Sequence, residues 1–407
     1  MGANLMNLSD FDKNAEIKML FYGAYCYNNI GDDLFFYILD RFLYDIFRNN
    51  IMLTIITVNY LNTYEDTKIN NIKYINSKDL WLVIKNIKNT NFLILGPGSI
   101  FGDQRKYLTQ NMYILFLLLF SKLMNKKRMF LGIDISRTED ILMNWTIYSA
   151  LLLSDRIFVR FNEEFSYIRE KFRLINDNHI MAIHDLVYSK YFFDIISKKN
   201  SMDTEFKKNY NKNKIGIVLS DLRHLQNYKY IEKFFVEMIK ILINKDLGIE
   251  FLFLNNGFNY NDFNYLKYLD KKYNLGINEE KRYKLLTFEK FNPKNIKKVY
   301  EKIESYSLVI SNKLHSSILC SIAKTPYISL NYHSKMHLLN KELEFKKEYE
   351  FDLLSLNNYK TIETQLMRFN EIINNIPIIN YNYSNVVQWI NENNKFFESL
   401  KEYLAEI

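Results

Sequence analysis

Cysteine, proline and glycine are all scarce in this chain of 407 residues, which has 2 Cys, 4 Pro and 11 Gly. Cys26 and Cys320 lie far apart among apolar neighbours, so a disulfide framework and a zinc site are not expected, and a reducing cytoplasm is the expected compartment. So few turn formers argue against an all-β chain and for long helices. Long hydrophobic runs are missing too. The longest, Met112 to Met124, is broken by Ser121 and Lys122 and is shorter than the ~20 residues that a membrane span needs, so it reads as a buried helix. The opening MGANLMNLSD shows neither a charged-then-apolar signal pattern nor a myristoylation motif, and nothing in it is expected to direct export. No short-period repeat is present, which excludes a solenoid.

What is present is the composition of a folded protein, with 48% hydrophobic and 25% charged residues. The length predicts two domains, at ~100–200 residues each. The formal charge of +8 reads as a solvated basic surface. Its basic residues are dispersed and no recognition motif accompanies them, so nucleic acid is not an expected partner.

Short apolar runs alternate with helical patterns. In the first half the strand candidates are Ile17 to Gly23, Ile51 to Val58, Asn91 to Gly96, Arg128 to Ile133 and Arg156 to Arg160. Helical periodicity falls between them near 32–47, 78–88, 107–124, 139–152 and 162–172, which predicts βαβ units and a parallel sheet. The alternation lapses in a lysine-rich polar stretch and restarts at Lys214 to Ser220, Gly248 to Asn255, Ser307 to Ser311 and Pro326 to Tyr332. The reading is therefore an α/β chain: a Rossmann-like domain over 1–200, a linker over 201–213, a second Rossmann-like domain over 214–358, and C-terminal helices over 359–407 that pack back on the first domain. Two such domains in series predict two parallel sheets facing an interdomain cleft. Ligands then sit beyond the carboxyl ends of the strands.

That rule selects a few residues. After the first strand, GAYCYNNIGDDL offers Asn28 for backbone bonding, Gly31 for loop freedom, and Asp32 and Asp33 in the first turn of a helix, where carboxylates suit its dipole. It lacks the glycine spacing of a phosphate cradle. After the third strand, GPGSIFGD offers Gly98 for close backbone approach, with Ser99 and Asp103 to bond a sugar hydroxyl. Arg160 either pairs with Glu163 or Glu164 or points into the cleft. In the second half, Ser220 and Arg223 follow one strand, and SNKLHSS places Lys313 and His315 where another strand hands over to a helix. With Ser311 or Asn312 as cap, these two cations lie in the helix's first turn. Basic residues are unfavourable there unless an anion is held. No HExxH, Cys/His cluster or GxSxG is found, so metal chemistry and a serine hydrolase are not expected.

In order and spacing, GAYCYNNIGDDL, LGPGSIFGD, VRFNEEFSYIRE and NKLHSSILCSIAKTPYISLNYHSK resemble the polysaccharide pyruvyl transferase family over roughly residues 17 to 340. The resemblance implies a GT-B-like pair of Rossmann-type domains, the first on the acceptor side and the second on the donor side. It implies transfer of pyruvate from phosphoenolpyruvate onto a sugar of a cell-surface polysaccharide precursor as a cyclic ketal, with no cofactor and no metal. On this basis His315 is the catalytic acid, and Lys313, Leu314, Ser316, Lys335, Ser220 and Arg223 bind the donor. Asn28, Gly31, Asp32, Gly98, Ser99, Asp103 and Arg160 line the acceptor side of the cleft. The family's arginine before Leu-His is Lys313 here, and the arginine usual after the second domain's first strand is Ser220. The alternative is a GT-B glycosyltransferase or other group transferase with a nucleotide-activated donor. Acceptors of this class are often lipid-linked, so a cytoplasmic enzyme with a peripheral contact at the inner membrane face, through the basic surface and the 112–124 helix, is a further expectation.

Overall fold

The computed structural model describes residues 16–405 except 60–61, 103, 136, 198–213, 246, 258–260 and 278–282. Asp103 and the predicted linker at 201–213 therefore lie outside the described residues. By internal contacts the chain forms two compact units, one of Met1–Tyr27, Phe35–Phe192 and Ile390–Ile407, the other of Asn28–Leu34 and Phe193–Trp389.

In chain order the first half runs β1 (Ile17–Tyr22), α1 (Ile30–Phe47), β2 (Ile51–Thr57), β3 (Ile72–Asn76), α2 (Leu80–Asn89), β4 (Phe92–Leu95), α3 (Leu108–Leu123), β5 (Lys127–Ile133), α4 (Ile141–Leu153), β6 (Arg156–Val159), α5 (Asn162–Lys171), β7 (Ile180–Ala182) and α6 (Lys190–Ile195). The second half runs β8 (Lys214–Val218), α7 (Tyr228–Asn244), β9 (Gly248–Leu252), α8 (Asp262–Tyr273), β10 (Tyr283–Leu286), α9 (Pro293–Ser305), β11 (Leu308–Ser311), α10 (Leu314–Ala323), β12 (Tyr327–Asn331), α11 (Ser334–Glu342), β13 (Glu350–Asp352), α12 (Tyr359–Asn374) and α13 (Tyr383–Ala405).

The first sheet has the order β3-β2-β1-β4-β5-β6-β7 and the second β10-β9-β8-β11-β12-β13. Every strand pair in both sheets is parallel. Both have the doubly wound order of a Rossmann sheet, which reverses direction between β1 and β4 in one and between β8 and β11 in the other.

Central strands of such sheets are covered on both faces and so are uniformly apolar: β4 is buried at all four positions, as is β11. The strands missing from the sequence reading are β3, β7, β10 and β13, the four sheet edges. Each is short and part-exposed, so no apolar run marks it.

The first core joins Leu20, Leu93 and Phe130 of the sheet to Val83, Ile114, Leu117, Ile147 and Ile168 of α2 to α5. The second packs α7 and α12 on the strands through Phe234, Phe235, Phe351 and Phe369. Each fully buried side chain of this kind contributes about 1.5–3 kcal/mol of transfer free energy. The Ile390–Ile407 segment of α13 packs within the first unit, where Phe397 meets Phe42 at 4.7 Å and Tyr191 at 4.9 Å between ring centroids. Among the described residues, no helix is long and apolar enough to cross a membrane, and no group of three or more His, Cys, Asp or Glu is placed to hold a metal ion.

Candidate functional site

The switch point of the second sheet lies between the exits of β8 and β11, and one asparagine ties them together. Asn312 accepts from the Ser220 N–H at 2.8 Å and donates to the Ser220 carbonyl at 3.5 Å. Asn312 is therefore not the helix cap. The Ser311 hydroxyl instead accepts from the Lys313 N–H at 2.9 Å, and α10 starts at Leu314 with Lys313 as its cap residue, one or two positions later than expected, so Lys313 stands just outside the first turn. His315 remains in the first turn. The Leu314, His315 and Ser316 amides there precede the first intrahelical bond, Ser317 N–H to Lys313 carbonyl at 3.3 Å. The Ser316 side chain turns inward, fully buried, and bonds the Ser311 hydroxyl and, at 2.9 Å, the Lys313 carbonyl.

A second strand exit, that of β9, brings in Asn28–Asp32. The Ile30 N–H donates to the Leu254 carbonyl at 3.0 Å, the Asn256 N–H donates to the Asn28 carbonyl at 3.1 Å, and Asn29 bridges Asn255. The Asn28 side chain donates to the Glu289 carbonyl at 2.6 Å, and Asn29 donates to Asp32 at 2.8 Å. This pairing sets Gly31 directly against the imidazole: a Cβ on Gly31 would lie 2.1 Å from His315 Nδ1. Glycine is required here by space. Asn28, Gly31 and Asp32, read from sequence with the first domain, belong to the second unit beside His315.

Asp262 closes the ring. Its carboxylate accepts from the Leu254 and Asn255 N–H groups at 3.1 and 3.0 Å and pairs with Lys313 Nζ at 2.7 Å, with the lysine side chain 13% and the aspartate 3% exposed. Burial pushes the Asp262 carboxyl up, against the opposing effect of Lys313 and the two amides. The Lys313 charge is thus already balanced inside the protein. Asp262 was not among the residues read from sequence. Its signal, an acid at the start of the helix after a strand, was present but weak.

Arg223 forks onto Asp221, with Nε 2.9 Å from Oδ1, and its guanidinium lies over the Tyr268 ring at 4.6 Å. Burial works to raise the Asp221 carboxyl, and Arg223 more than offsets it, holding it below the usual range. Lys335 sits at the start of α11, beyond the end of β12, where its N–H donates to His333 Nδ1 at 3.3 Å.

The first unit's switch point, between β1 and β4, is open. A cleft of about 660 Å³ lies over the strand ends, walled by Tyr22, Gly23, Tyr27, Thr57, Ser77, Lys78, Ser99, Gln110 and Tyr113 among others. Tyr113 donates to the Ser77 carbonyl at 3.0 Å and lies 5.2 Å from the Tyr22 ring. Burial raises both phenols, Tyr113 to about 12. Of these, Ser99 was read from sequence as a sugar-binding residue, and Gly23 falls in the GAYCYNNIGDDL loop. Gln110 and Tyr113 lie within α3, and Ser77 and Lys78 follow the edge strand β3, which no apolar run marked.

Gly96 and Gly98, at φ 137° and 84°, adopt backbone that side chains rarely take. Gly96 serves strand packing, since a Cβ on Gly23 would lie 2.1 Å from the Gly96 carbonyl oxygen and one on Gly96 2.1 Å from that of Leu131, while the Gly98 N–H donates to the Gly132 carbonyl at 3.0 Å. Arg160, read as a cleft residue, is buried at 4% exposure and held by Asp134 Oδ1 at 2.7 Å and Asp185 at 3.0 Å. Burial opposes its charge, but the two carboxylates outweigh that and raise its pKa. This corrects the reading: its partners come from β5 and β7 exits, out of view of local sequence.

The model of the family "Polysaccharide pyruvyl transferase" matches residues 29–334. No curated protein matches the chain significantly. Among solved structures, UDP-GlcNAc 2-epimerase from Methanocaldococcus jannaschii is similar at TM-score 0.58 and 13% identity, covering 94% of this chain and 99% of that one. A putative UDP-N-acetylglucosamine 2-epimerase from Listeria monocytogenes is similar at TM-score 0.57 and 12% identity, covering 97% and 98%. A lipopolysaccharide outer core galactosyltransferase is similar at TM-score 0.51 and 12% identity, covering 96% and 100%. These likenesses show the fold, a GT-B-like pair of Rossmann-type units. The family match covers most of the chain, which belongs to the polysaccharide pyruvyl transferase family and is a transferase.

Proposed function

We propose that this member of the family moves pyruvate from phosphoenolpyruvate onto two hydroxyls of one sugar in a cell-surface polysaccharide precursor, in the cytoplasm. The observation that carries the reading is the His315 imidazole, at the start of α10 on the second sheet's switch point, seated against Gly31. His315 as imidazolium gives its proton to the C3 methylene of the donor, and C2 becomes cationic. One sugar hydroxyl adds to C2 and returns a proton. The C2–O bond to phosphate then breaks, the second hydroxyl adds and gives its proton to the departing phosphate, and a cyclic ketal and inorganic phosphate result.

The donor anion is assigned to the Leu314, His315 and Ser316 amides at the helix start, where the dipole favours negative charge. Ser220, Lys335 and Arg223 are assigned to the donor's periphery. Lys313 acts from behind them, because Asp262 already balances its charge. The acceptor sugar is assigned to the first unit's cleft, with Ser99 and Ser77 for its hydroxyls and Tyr22 and Tyr113 for its apolar faces.

The Lys313–Asp262 pair also favours a second reading, a nucleotide-activated donor, since among the described residues Lys313 is paired within the protein and Arg223 is forked onto Asp221. Several similar solved structures bear UDP-sugar names, which agrees with that reading. Incubation with phosphoenolpyruvate and a panel of lipid-linked sugars should release phosphate. Stabilisation by a nucleotide sugar alone, with no phosphate release, overturns the pyruvyl reading.

A further inference from the structure

The helices α2, α3 and α4 form one layer on the first sheet. Each buries one face in the same core, and α3 packs against α2 on one side and α4 on the other. The outward face of such a layer is ordinarily charged. Here it carries Trp81 at 78%, Leu123 at 72%, Ile141 at 86% and Trp145 at 52% exposure. Exposed apolar residues on neighbouring helices mark an interaction surface, unlike single ones scattered over a protein. The charge along α2 and α3 is predominantly basic, since from Lys78 to Lys127 the chain has 8 Lys and Arg against 2 Asp, while Glu139 and Asp140 precede α4 and Asp140 pairs with Arg105.

Those two features select the occupant. A second copy of this chain at a two-fold interface would set the same lysine-rich patch against itself, which like charges oppose. An anionic bilayer meets both requirements, since tryptophan and aliphatic side chains enter the headgroup region while lysines approach lipid phosphates. Two of these three helices wall the cleft, α2 through Leu80 and α3 through Thr109, Gln110 and Tyr113. Docking through this face would hold the cleft beside the headgroups, where an amphipathic acceptor resides.

We propose that the outer face of the α2–α3–α4 layer docks on an anionic lipid bilayer, with Trp81, Leu123, Ile141 and Trp145 inserted among the headgroups. Vesicle binding requires no donor and no turnover, so its failure leaves the pyruvyl reading standing. The test is flotation of the full chain with vesicles of phosphatidylcholine alone and of equal parts phosphatidylcholine and phosphatidylglycerol, at low and high salt. Binding to the anionic vesicles, weakened by salt and accompanied by a blue shift of tryptophan emission, is expected. Trp81→Glu with Ile141→Glu should lower the bound fraction about tenfold or more. Lys85→Glu with Lys88→Glu should lower it as well without moving the thermal midpoint, and this pair keeps the test open where the first variant unfolds. Absence of vesicle binding, equal binding by both variants, or a dimer that the variants dissociate would each overturn the proposal.

Discussion

The two sheets share one strand order and one reversal point, yet the ends of their central strands are built differently. In the first unit the β1 and β4 exits are glycine-bearing loops packed on one another, and the space above them is a cleft with tyrosine and serine walls. In the second unit the β8, β9 and β11 exits are tied by a closed set of contacts: Asn312 to Ser220, Asp262 to Lys313, and His315 to Gly31. Shared topology therefore sets where a site lies and leaves open what it holds. One end has room for a sugar, and the other holds its charges and an imidazole in fixed positions.

The comparison is tested most severely at His315. Replacing it with alanine should reduce phosphate release by about 10²–10⁴-fold, with little change in the thermal midpoint, since the ring is only half-buried. Asp262→Asn should act on stability instead. It leaves the Lys313 ammonium without its buried partner, at a cost of about 3 kcal/mol in urea unfolding. A smaller effect would mean that the second switch point is less tightly organised than its contacts imply.

Gly31→Ala tests the same end by geometry alone. The added methyl would meet the imidazole, and activity should fall about 10–10²-fold while the fold persists. Tyr113→Ala acts at the open end, where it should raise the acceptor KM about tenfold with kcat nearly unchanged. A loss in kcat alone would place Tyr113 with the chemistry and weaken the contrast between the two ends.

The smallest effect concerns pH and the first unit. Burial lowers the His184 pKa from its ordinary 6.5, against the opposing pull of Glu392 at 2.8 Å. The unfolded chain therefore takes up a proton that the folded chain refuses, and stability falls as pH drops below about 6.5 through the lowered folded value. The thermal midpoint should decline by a few degrees between about pH 7 and about pH 5, and His184→Gln should flatten that slope.

The legible part of the fold was its buried part. β1, β2, β4, β5 and β6 stand within a residue or two of the apolar runs that announced them, as do β8, β11 and β12. The short α6 and α11, with the edge strands, left no comparable run. At the site, the motifs brought His315 and Gly31 forward independently, but nothing local said that they touch. Asp262, Tyr22 and Tyr113 went unread, and Asn312 was read only as a helix cap, because their importance lies in partners distant along the chain. Arg160 was misplaced for the same reason, since Asp134 and Asp185 are 26 and 25 residues from it.

By itself the sequence determined the α/β class, the two successive parallel sheets and the strand ends at which function is sought. Apolar periodicity and scarce turn formers are local properties, and burial on both faces of a parallel strand writes itself into the run of residues. Tertiary structure alone decided that Asn28–Leu34 joins the second unit, that Lys313 is neutralised by Asp262, and that the open cleft belongs to the first. Each depends on where a strand exit lies relative to another far along the chain. Hydrogen bonding and charge balance at those exits follow from spatial neighbours, which sequence spacing does not encode.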